Sequence, residues 1–283
     1  MKTTLAIPWL LEAKGNGRNV MNLWQKRLAI VSDEAAPGFA EAVRRCLPLG
    51  IRAYELRFLY GMRVPHVSME AIEEVLAEVR DHDLTLVGIS PGFCKVRLGD
   101  PAAEKEFESG FSQAFRLMDR LDVRRLTVFS YQRADRGTAI PARIFDLLQR
   151  AATLCREEGV ELLIENSPQC WADAGEHLAE VARAVGVRVT WDPANAAASG
   201  AEAYPAGYKA VQDLVAHVHL KNWQPTHGWV YLNDGVVDIA GQVKALEADG
   251  YRGYYCIENH RWTDPAATET NTQQLLALLE QSR

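Results

Sequence analysis

The sequence has no early apolar run long enough to cross a membrane. Its longest such run, Leu5 to Leu11, is interrupted by Pro8 and followed by Glu12, whereas a spanning helix needs about 20 apolar residues. No small-residue cleavage site follows the run, so it does not resemble a secretory signal peptide. We therefore expect the protein to have no membrane partner.

A surplus of basic residues is also missing. The chain has 31 Lys and Arg against 37 Asp and Glu, which gives a net charge of −6. Proteins that bind a nucleic-acid backbone usually present a basic face, so no nucleic-acid partner is expected. A small anionic substrate is not excluded, because local charge decides its binding.

Paired cysteines are absent too. The chain has five cysteines, at scattered positions and with no CxxC pair. An odd number of dispersed cysteines is typical of free thiols in a reducing compartment. We therefore predict a cytoplasmic protein.

From residue 26 onward the chain alternates between short apolar segments and segments of helical period, with no domain-scale linker. The segments are rich in Val, Ile, Leu and aromatic residues, as strands buried on both faces tend to be. The predicted strands cover residues 27–32, 51–57, 84–90, 124–130, 160–165, 187–192, 215–221 and 254–258.

Helical period is clear in the segments between these strands. Ser68 precedes one helix as an N-cap, and Gly186 is placed to end another. The other predicted helices cover residues 36–47, 101–120, 140–158, 238–249 and 266–280.

Eight such βα units predict an all-parallel α/β fold, a single (β/α)8 TIM barrel over residues 21–283. The main alternative, a doubly wound open sheet, usually opens with a GxGxxG loop, and none follows the first strand. Residues 1–20 are either an N-terminal extension or an over-long start assignment.

Four strings in the C-terminal half end predicted strands on polar residues. They are LLIEN, VTWDPAN, HVHLKN and CIENH, and they carry Glu165, Asp192, His219 and Glu258 at successive separations of 27, 27 and 39 residues. In a βα barrel the carboxyl ends of the strands form the catalytic face. Each residue alone is more often a salt-bridge partner or helix cap.

Together, the three carboxylates and one imidazole indicate a single divalent-metal site. Buried carboxylates without a cation between them would repel one another and their pKa values would rise. An oxygen-rich set with one imidazole favours Mn²⁺, Mg²⁺ or Co²⁺, while Zn²⁺ remains an alternative.

These strings, with NDGVVD at 233–238 and GYRGYYCIENH at 250–260, resemble the xylose-isomerase-like barrel superfamily of sugar and sugar-phosphate isomerases and epimerases. The resemblance covers about residues 26–280. It implies that Glu165, Asp192, His219 and Glu258 are the metal ligands. It also implies that Glu165 and Glu258 relay a proton on opposite faces of a sugar, through a metal-stabilised enediolate.

The resemblance has departures. Several epimerases of the superfamily have a histidine three residues after the aspartate, where this chain has Asn195. The trinuclear zinc site of endonuclease IV needs further histidines at earlier strand ends, where this chain has Ser90 and Ser130. The net charge also disfavours a nuclease.

Six residues are candidates for substrate binding, and several have a structural alternative. Lys221 either holds a substrate oxygen or neutralises a site carboxylate, and Arg57 either contacts substrate or pairs with Glu55 on the same strand face. Trp223 belongs either to a lid over the sugar or to a hairpin around the Asp234–Gly235 turn. The full set is Asn195, His217, Lys221, Arg57, Trp223 and His260.

The function expected from these observations is a metal-dependent sugar isomerase or epimerase, with a sugar as the small-molecule partner. A dehydratase or lyase acting on keto-sugars would begin with the same proton abstraction. A non-catalytic sugar-binding barrel is disfavoured, since a binder has no need of both Glu165 and Glu258. Because such barrels often pair, a homodimer is plausible.

Overall fold

The computed structural model describes residues 23–133 and 139–282. Within these ranges eight parallel strands form a closed barrel, in which each strand pairs with its neighbours in the chain. The last strand closes on the first, where Tyr255 lies opposite Leu28. The strands are β1 Leu28–Val31, β2 Ala53–Leu56, β3 Thr85–Ile89, β4 Arg125–Val128, β5 Glu161–Glu165, β6 Arg188–Trp191, β7 Val215–Leu220 and β8 Tyr255–Ile257. The predicted TIM barrel is confirmed.

The barrel strands are buried on both faces, which explains their nearly continuous apolar sequence. Every residue of β1 and of β7 is buried, because alternate side chains fill the barrel interior or pack against the surrounding helices. Trp191 at the end of β6 is fully buried, and its indole N–H donates to Gln242 Oε1 at 2.9 Å. Trp191 is therefore a core residue that packs between the sheet and the outer helices.

Helices surround the barrel at the predicted positions. Ser68 caps the helix Met69–His82 by accepting a hydrogen bond from the Ala71 N–H at 3.2 Å, and Gly186 ends the helix Gly175–Val185 with a φ of 77°. The helices are α1 Phe39–Cys46, α2 Met69–His82, α3 Pro101–Lys105, α4 Phe111–Leu121, α5 Ala142–Glu157, α6 Gly175–Val185, α7 Pro193–Ala198, α8 Tyr208–Val211, α9 Ile239–Ala248 and α10 Ala267–Gln281. The predicted helix 101–120 is interrupted by a π-helical turn at Glu106–Gly110.

Two hairpins lie above the carboxyl ends of the strands. The first, after β2, pairs Phe58–Leu59 with Met62–Arg63, and the second, after β7, pairs Asn222–Gln224 with Gly228–Val230.

The paired strands of the second hairpin turn earlier in the chain than Asp234–Gly235. The chain also turns at Asp234, whose N–H donates to the Tyr231 carbonyl, and folds back so that the Val236 N–H donates to the Trp223 carbonyl. The Asn222 side chain donates to the carbonyls of Leu232 and Val237. Gly235 passes so close to Asn222 that a Cβ would lie 2.0 Å from its Oδ1. Glycine at position 235 therefore allows the backbone to pass close to the Asn222 side chain.

The predicted extension at residues 1–20 lies outside the described residues. No helix within residues 23–133 and 139–282 is long and apolar enough to cross a membrane. All five cysteines are buried free thiols.

Candidate metal centre

The four predicted metal ligands meet at the carboxyl end of the barrel. Glu165 is the last residue of β5, Asp192 directly follows β6, His219 lies within β7 and Glu258 directly follows β8. All four are buried, and one ligand atom from each lies within 4.8 Å of the others. Residues from four separate βα units therefore form one compact set of donors.

Asp192 is held in place by backbone contacts that involve two asparagines. The Asn166 side chain donates to the Asp192 carbonyl at 2.7 Å and accepts from its N–H at 2.9 Å. Asp192 Oδ1 accepts from the Asn195 N–H at 2.9 Å and so caps α7. These contacts leave Oδ2 facing the ligand cluster.

His219 presents its two ring nitrogens to different carboxylates. Nε2 lies 3.0 Å from Glu55 Oε2, whereas Nδ1 lies 3.3 Å from Glu165 Oε1 and 3.7 Å from Glu258 Oε2. Burial disfavours the charged imidazole, but Glu55, Glu165 and Glu258 raise the pKa of His219 well above its usual value. These carboxylates would therefore stabilise a proton or a cation at the edge of the ring that faces Glu165 and Glu258.

Glu258 is the most strongly neutralised of the carboxylates. Its Oε1 accepts from Arg57 Nη1 at 2.6 Å, and its Oε2 contacts the Lys221 ammonium. Burial opposes ionisation, but Lys221, His260, His219 and Arg57 hold the pKa of Glu258 well below its usual range. Glu258 is therefore held as a carboxylate.

The donor set fits a divalent ion. Three carboxylates and one imidazole, with Nδ1 of His219 turned toward Glu165 and Glu258, match the oxygen-rich coordination of Mn²⁺, Mg²⁺ or a catalytic Zn²⁺. The carboxylate of Glu55 on the far ring nitrogen is the usual means of fixing a metal-binding histidine. Lys221 contacts both Asp192 and Glu258. Its ammonium and any bound ion would therefore be attracted by the same two carboxylates.

A cavity of about 340 Å³ opens above this cluster. Its wall includes Glu165 and Glu258 on one side and the aromatic rings of Trp229 and Trp262 on another. Trp262 has 63% of its surface exposed, so the cavity mouth is partly aromatic and open to solvent.

Three predicted substrate-binding residues, Arg57, His217 and Lys221, contact carboxylates of the protein. Arg57 does not form the expected ion pair with Glu55. Its guanidinium binds Asp33, Glu34 and Glu258. The reason is that Glu55, one step deeper on the same face of β2, is already bound by His217, His219 and Ser90.

His217 and Lys221 lie beneath the cavity. His217 is fully buried with Nε2 2.9 Å from Glu55 Oε2, and burial lowers its pKa. Lys221 is also fully buried, between Asp192 and Glu258. Of the two expectations for Lys221, the contacts favour the neutralising role.

Asn195 and His260 line the cavity, whereas Trp223 does not appear in its wall. Asn195 Nδ2 donates to Glu165 Oε1 at 3.3 Å. His260 Nδ1 lies 2.9 Å from Glu34 Oε1, and its ring packs edge-on against Trp229. The tryptophan of the second hairpin that reaches the cavity is Trp229, which pairs with Trp223 across the hairpin.

Sequence reasoning did not place several residues that shape the site. Their signal was weak, because Asp33, Glu34 and Lys95 lie in segments that follow barrel strands and Arg63 lies in a two-residue hairpin strand. Sequence reasoning assigned no site role to Asp33, Glu34, Arg63 or Lys95, and named Glu55 only as a partner of Arg57 and Ser90 only as a strand-end position.

Residues 43–282 match the family model of the xylose isomerase-like TIM barrel. The chain belongs to this family. No curated protein sequence matches it significantly.

Solved structures of similar fold share little sequence with the chain. The probable 3-DHS dehydratase AsbF from Bacillus anthracis has 17% identity and a TM-score of 0.72, covering 89% of this chain and 98% of its own. An L-ribulose 3-epimerase has 17% identity and a TM-score of 0.71, with 91% and 95% covered. The IolI protein, solved with a zinc atom, has 14% identity and a TM-score of 0.72, with 91% and 99% covered. At these identities the likeness establishes the fold alone.

Proposed function

We propose that the protein is a divalent-metal-dependent isomerase or epimerase of sugars or sugar phosphates, acting by proton transfer. The observation that carries this proposal is the position of Glu165 and Glu258. Both line one cavity, and both contribute an atom to the same cluster of four ligands. An L-ribulose 3-epimerase of the same fold supports it.

The four ligands Glu165, Asp192, His219 and Glu258 would hold the ion. A divalent ion there supplies Lewis acidity at the carbonyl of a bound sugar. The zinc atom in the IolI structure supports a metal in this fold.

Glu165 is the better-placed base for abstracting a proton from substrate carbon. Its described hydrogen bonds, to Asn195 and His219, both use Oε1, so they leave Oε2 without a partner within the described residues. A positioned carboxylate of this kind accelerates proton transfer by about 10²–10⁴. Asn195 keeps the Glu165 carboxylate in one orientation while the proton moves.

Glu258 is the group proposed to return a proton to the substrate. Arg57 and Lys221 hold it ionised, so it must first take up a proton, from solvent or from the substrate, before it can deliver one. Glu165 is therefore proposed as the group that removes the proton, and Glu258, once protonated, as the group that delivers a proton to the substrate.

The ion pairs that hold Glu258 as a carboxylate favour a second candidate, a dehydratase or lyase acting on keto-sugars. A site with one effective base abstracts a proton and then expels a leaving group without returning the proton to carbon. The probable 3-DHS dehydratase of similar fold supports this candidate.

One experiment separates the two candidates. The protein is loaded in turn with Mn²⁺, Mg²⁺, Co²⁺ and Zn²⁺ and incubated with ketoses and aldoses in D₂O, and C–H exchange and products are followed by NMR. We expect deuterium incorporation together with an isomeric sugar. Loss of water or an aglycone would favour the second candidate.

The assignment of Glu258 has its own test. Glu258→Gln should abolish formation of the isomer, with exposed Glu176→Gln as the control. Turnover that survives Glu258→Gln would show that Glu258 delivers no proton. Failure of every metal to bind would overturn the proposed centre.

A further inference from the structure

Two cationic side chains in the cavity wall form no ion pair with a described residue. Three side chains that line the cavity, Arg57, Arg63 and Lys95, are cationic. Arg57 is balanced by the carboxylates of Asp33, Glu34 and Glu258. Arg63 and Lys95 have no ion pair with any described residue, so their charge faces the space that a ligand would occupy.

Arg63 is half-buried and lacks a hydrogen-bond partner at one donor. It ends the first hairpin, with its guanidinium carbon 4.8 Å from the centre of the Phe58 ring. Its Nε is buried with no partner, and Nη2 reaches only the Ser90 carbonyl at 3.5 Å. A buried donor without an acceptor costs about 1–3 kcal/mol, so an oxyanion at this edge would be stabilising.

The surroundings of Arg63 intensify this need for an anion. Burial and the nearby charge of Arg57 lower the pKa of Arg63. Both guanidinium groups lie over the same Phe58 ring, at 4.8 and 5.8 Å. Arg57 forms ion pairs with carboxylates, whereas Arg63 forms none within the described residues.

The position of the Arg63 side chain is set by a glycine. Gly92, in the loop after β3, has a φ of 76°, and a Cβ there would lie 2.4 Å from the Arg63 guanidinium carbon. The guanidinium therefore lies directly against the loop backbone. Any side chain at position 92 would displace it from this place in the cavity wall.

Lys95 comes from the same loop and lies beside another aromatic ring. Its Nζ is 4.0 Å from the centre of the Phe129 ring, and both residues line the cavity. A cation–π contact directs an ammonium without neutralising its charge. Arg63 and Lys95 thus place in the cavity lining two cations that have no ion-pair partner among the described residues.

We propose that Arg63 and Lys95 form a subsite for a carboxylate of the substrate, so that the enzyme acts on acidic sugars such as uronates. The proposal rests on the proposed function and names its substrate class. A planar carboxylate matches the Nε–Nη2 edge of an arginine through two parallel hydrogen bonds. A phosphate ester is the alternative oxyanion, and the titration below distinguishes it from a carboxylate.

The test is calorimetric titration of the full-length protein, with and without Mn²⁺. The ligands are D-glucuronate, D-glucose 6-phosphate and D-glucose, which differ only at carbon 6. We expect glucuronate to bind about tenfold or more tightly than glucose. Arg63→Met and Lys95→Met should each reduce that preference by about tenfold, while Arg116→Met, an exposed arginine on α4, leaves it unchanged.

Each other result counts against the proposal. Equal binding of glucuronate and glucose, or a preference that survives both substitutions, overturns the subsite. Tighter binding of glucose 6-phosphate than of glucuronate overturns the assignment to a carboxylate. Arg63→Lys, which keeps the charge without the planar fork, should retain part of the preference and provides a second variant if Arg63→Met folds poorly.

The titration does not depend on turnover. Its failure is therefore separate from a failure of C–H exchange, which would count against the proposed function.

Discussion

Nε2 of His219 lies 3.0 Å from Oε2 of Glu55, and this contact decides which ring nitrogen faces the metal centre. The two residues lie on β7 and β2, which are separated in the barrel by β8 and β1. The contact therefore crosses the barrel interior. With Nε2 bound to Glu55, Nδ1 is the nitrogen that faces Glu165 and Glu258.

Glu55→Gln should weaken metal binding by about 10–100-fold, although Glu55 is not one of the four ligands. The amide cannot orient His219 or share its charge as the carboxylate does. Calorimetric titration with Mn²⁺ measures the change, and Glu161→Gln, at the opposite end of β5, is the control. An unchanged affinity would show that Glu55 does not position His219.

Lys221→Met should raise metal affinity by about tenfold or more, because the ammonium and the ion share the same two carboxylates. The metal-free variant should lose stability, by about 3–5 kcal/mol, since Asp192 and Glu258 lose a buried partner. Added Mn²⁺ should restore much of that loss in a thermal unfolding experiment. The control is Lys244→Met, an exposed lysine on α9. A lower metal affinity would mean that Lys221 supports the ion.

Glu165→Gln should reduce substrate C–H exchange by about 10²–10⁴, because glutamine accepts no proton at neutral pH. Binding of the acidic-sugar probe should persist, since Arg63 and Lys95 are untouched. Exchange in D₂O and calorimetry on the same preparation measure the two effects. Exchange at the wild-type rate would place the base elsewhere.

Glu106 should make the protein less stable as the pH rises. Burial raises its pKa from 4.5 to about 7, so between these values the unfolded chain has lost a proton that the folded protein retains. Stability therefore falls from about pH 4.5 to pH 7, and the full penalty is present above pH 7.

Glu106→Gln should remove this dependence and raise stability at pH 8 by about 1–3 kcal/mol relative to its effect at pH 5. The amide oxygen still accepts from the Cys94 N–H, which lies 2.9 Å from Glu106 Oε2. Urea unfolding at several pH values provides the measurement, with exposed Glu104→Gln as the control. A difference between wild type and variant that does not vary with pH would contradict the assignment.

The strands and most helices could be predicted because their signals are local. An apolar run such as VAHVHL at 215–220 is readable without its neighbours, and Ser68 and Gly186 mark helix ends through their own backbone preferences. Asp234–Gly235 marks a turn by its own residue types, but only the folded structure shows that Asn222 binds the backbone on either side of it, at Leu232 and Val237.

The sequence by itself determined the barrel and the meeting of Glu165, Asp192, His219 and Glu258 at one face of it. Parallel strands end at one face, so residues that terminate strands meet there wherever they lie in the chain. Only the tertiary structure decided their partners. Arg57 forms an ion pair with Glu258 and not with Glu55, because His217 and His219 reach Glu55 from across the barrel. Such pairings depend on distance and competition among charges, which strand periodicity does not encode.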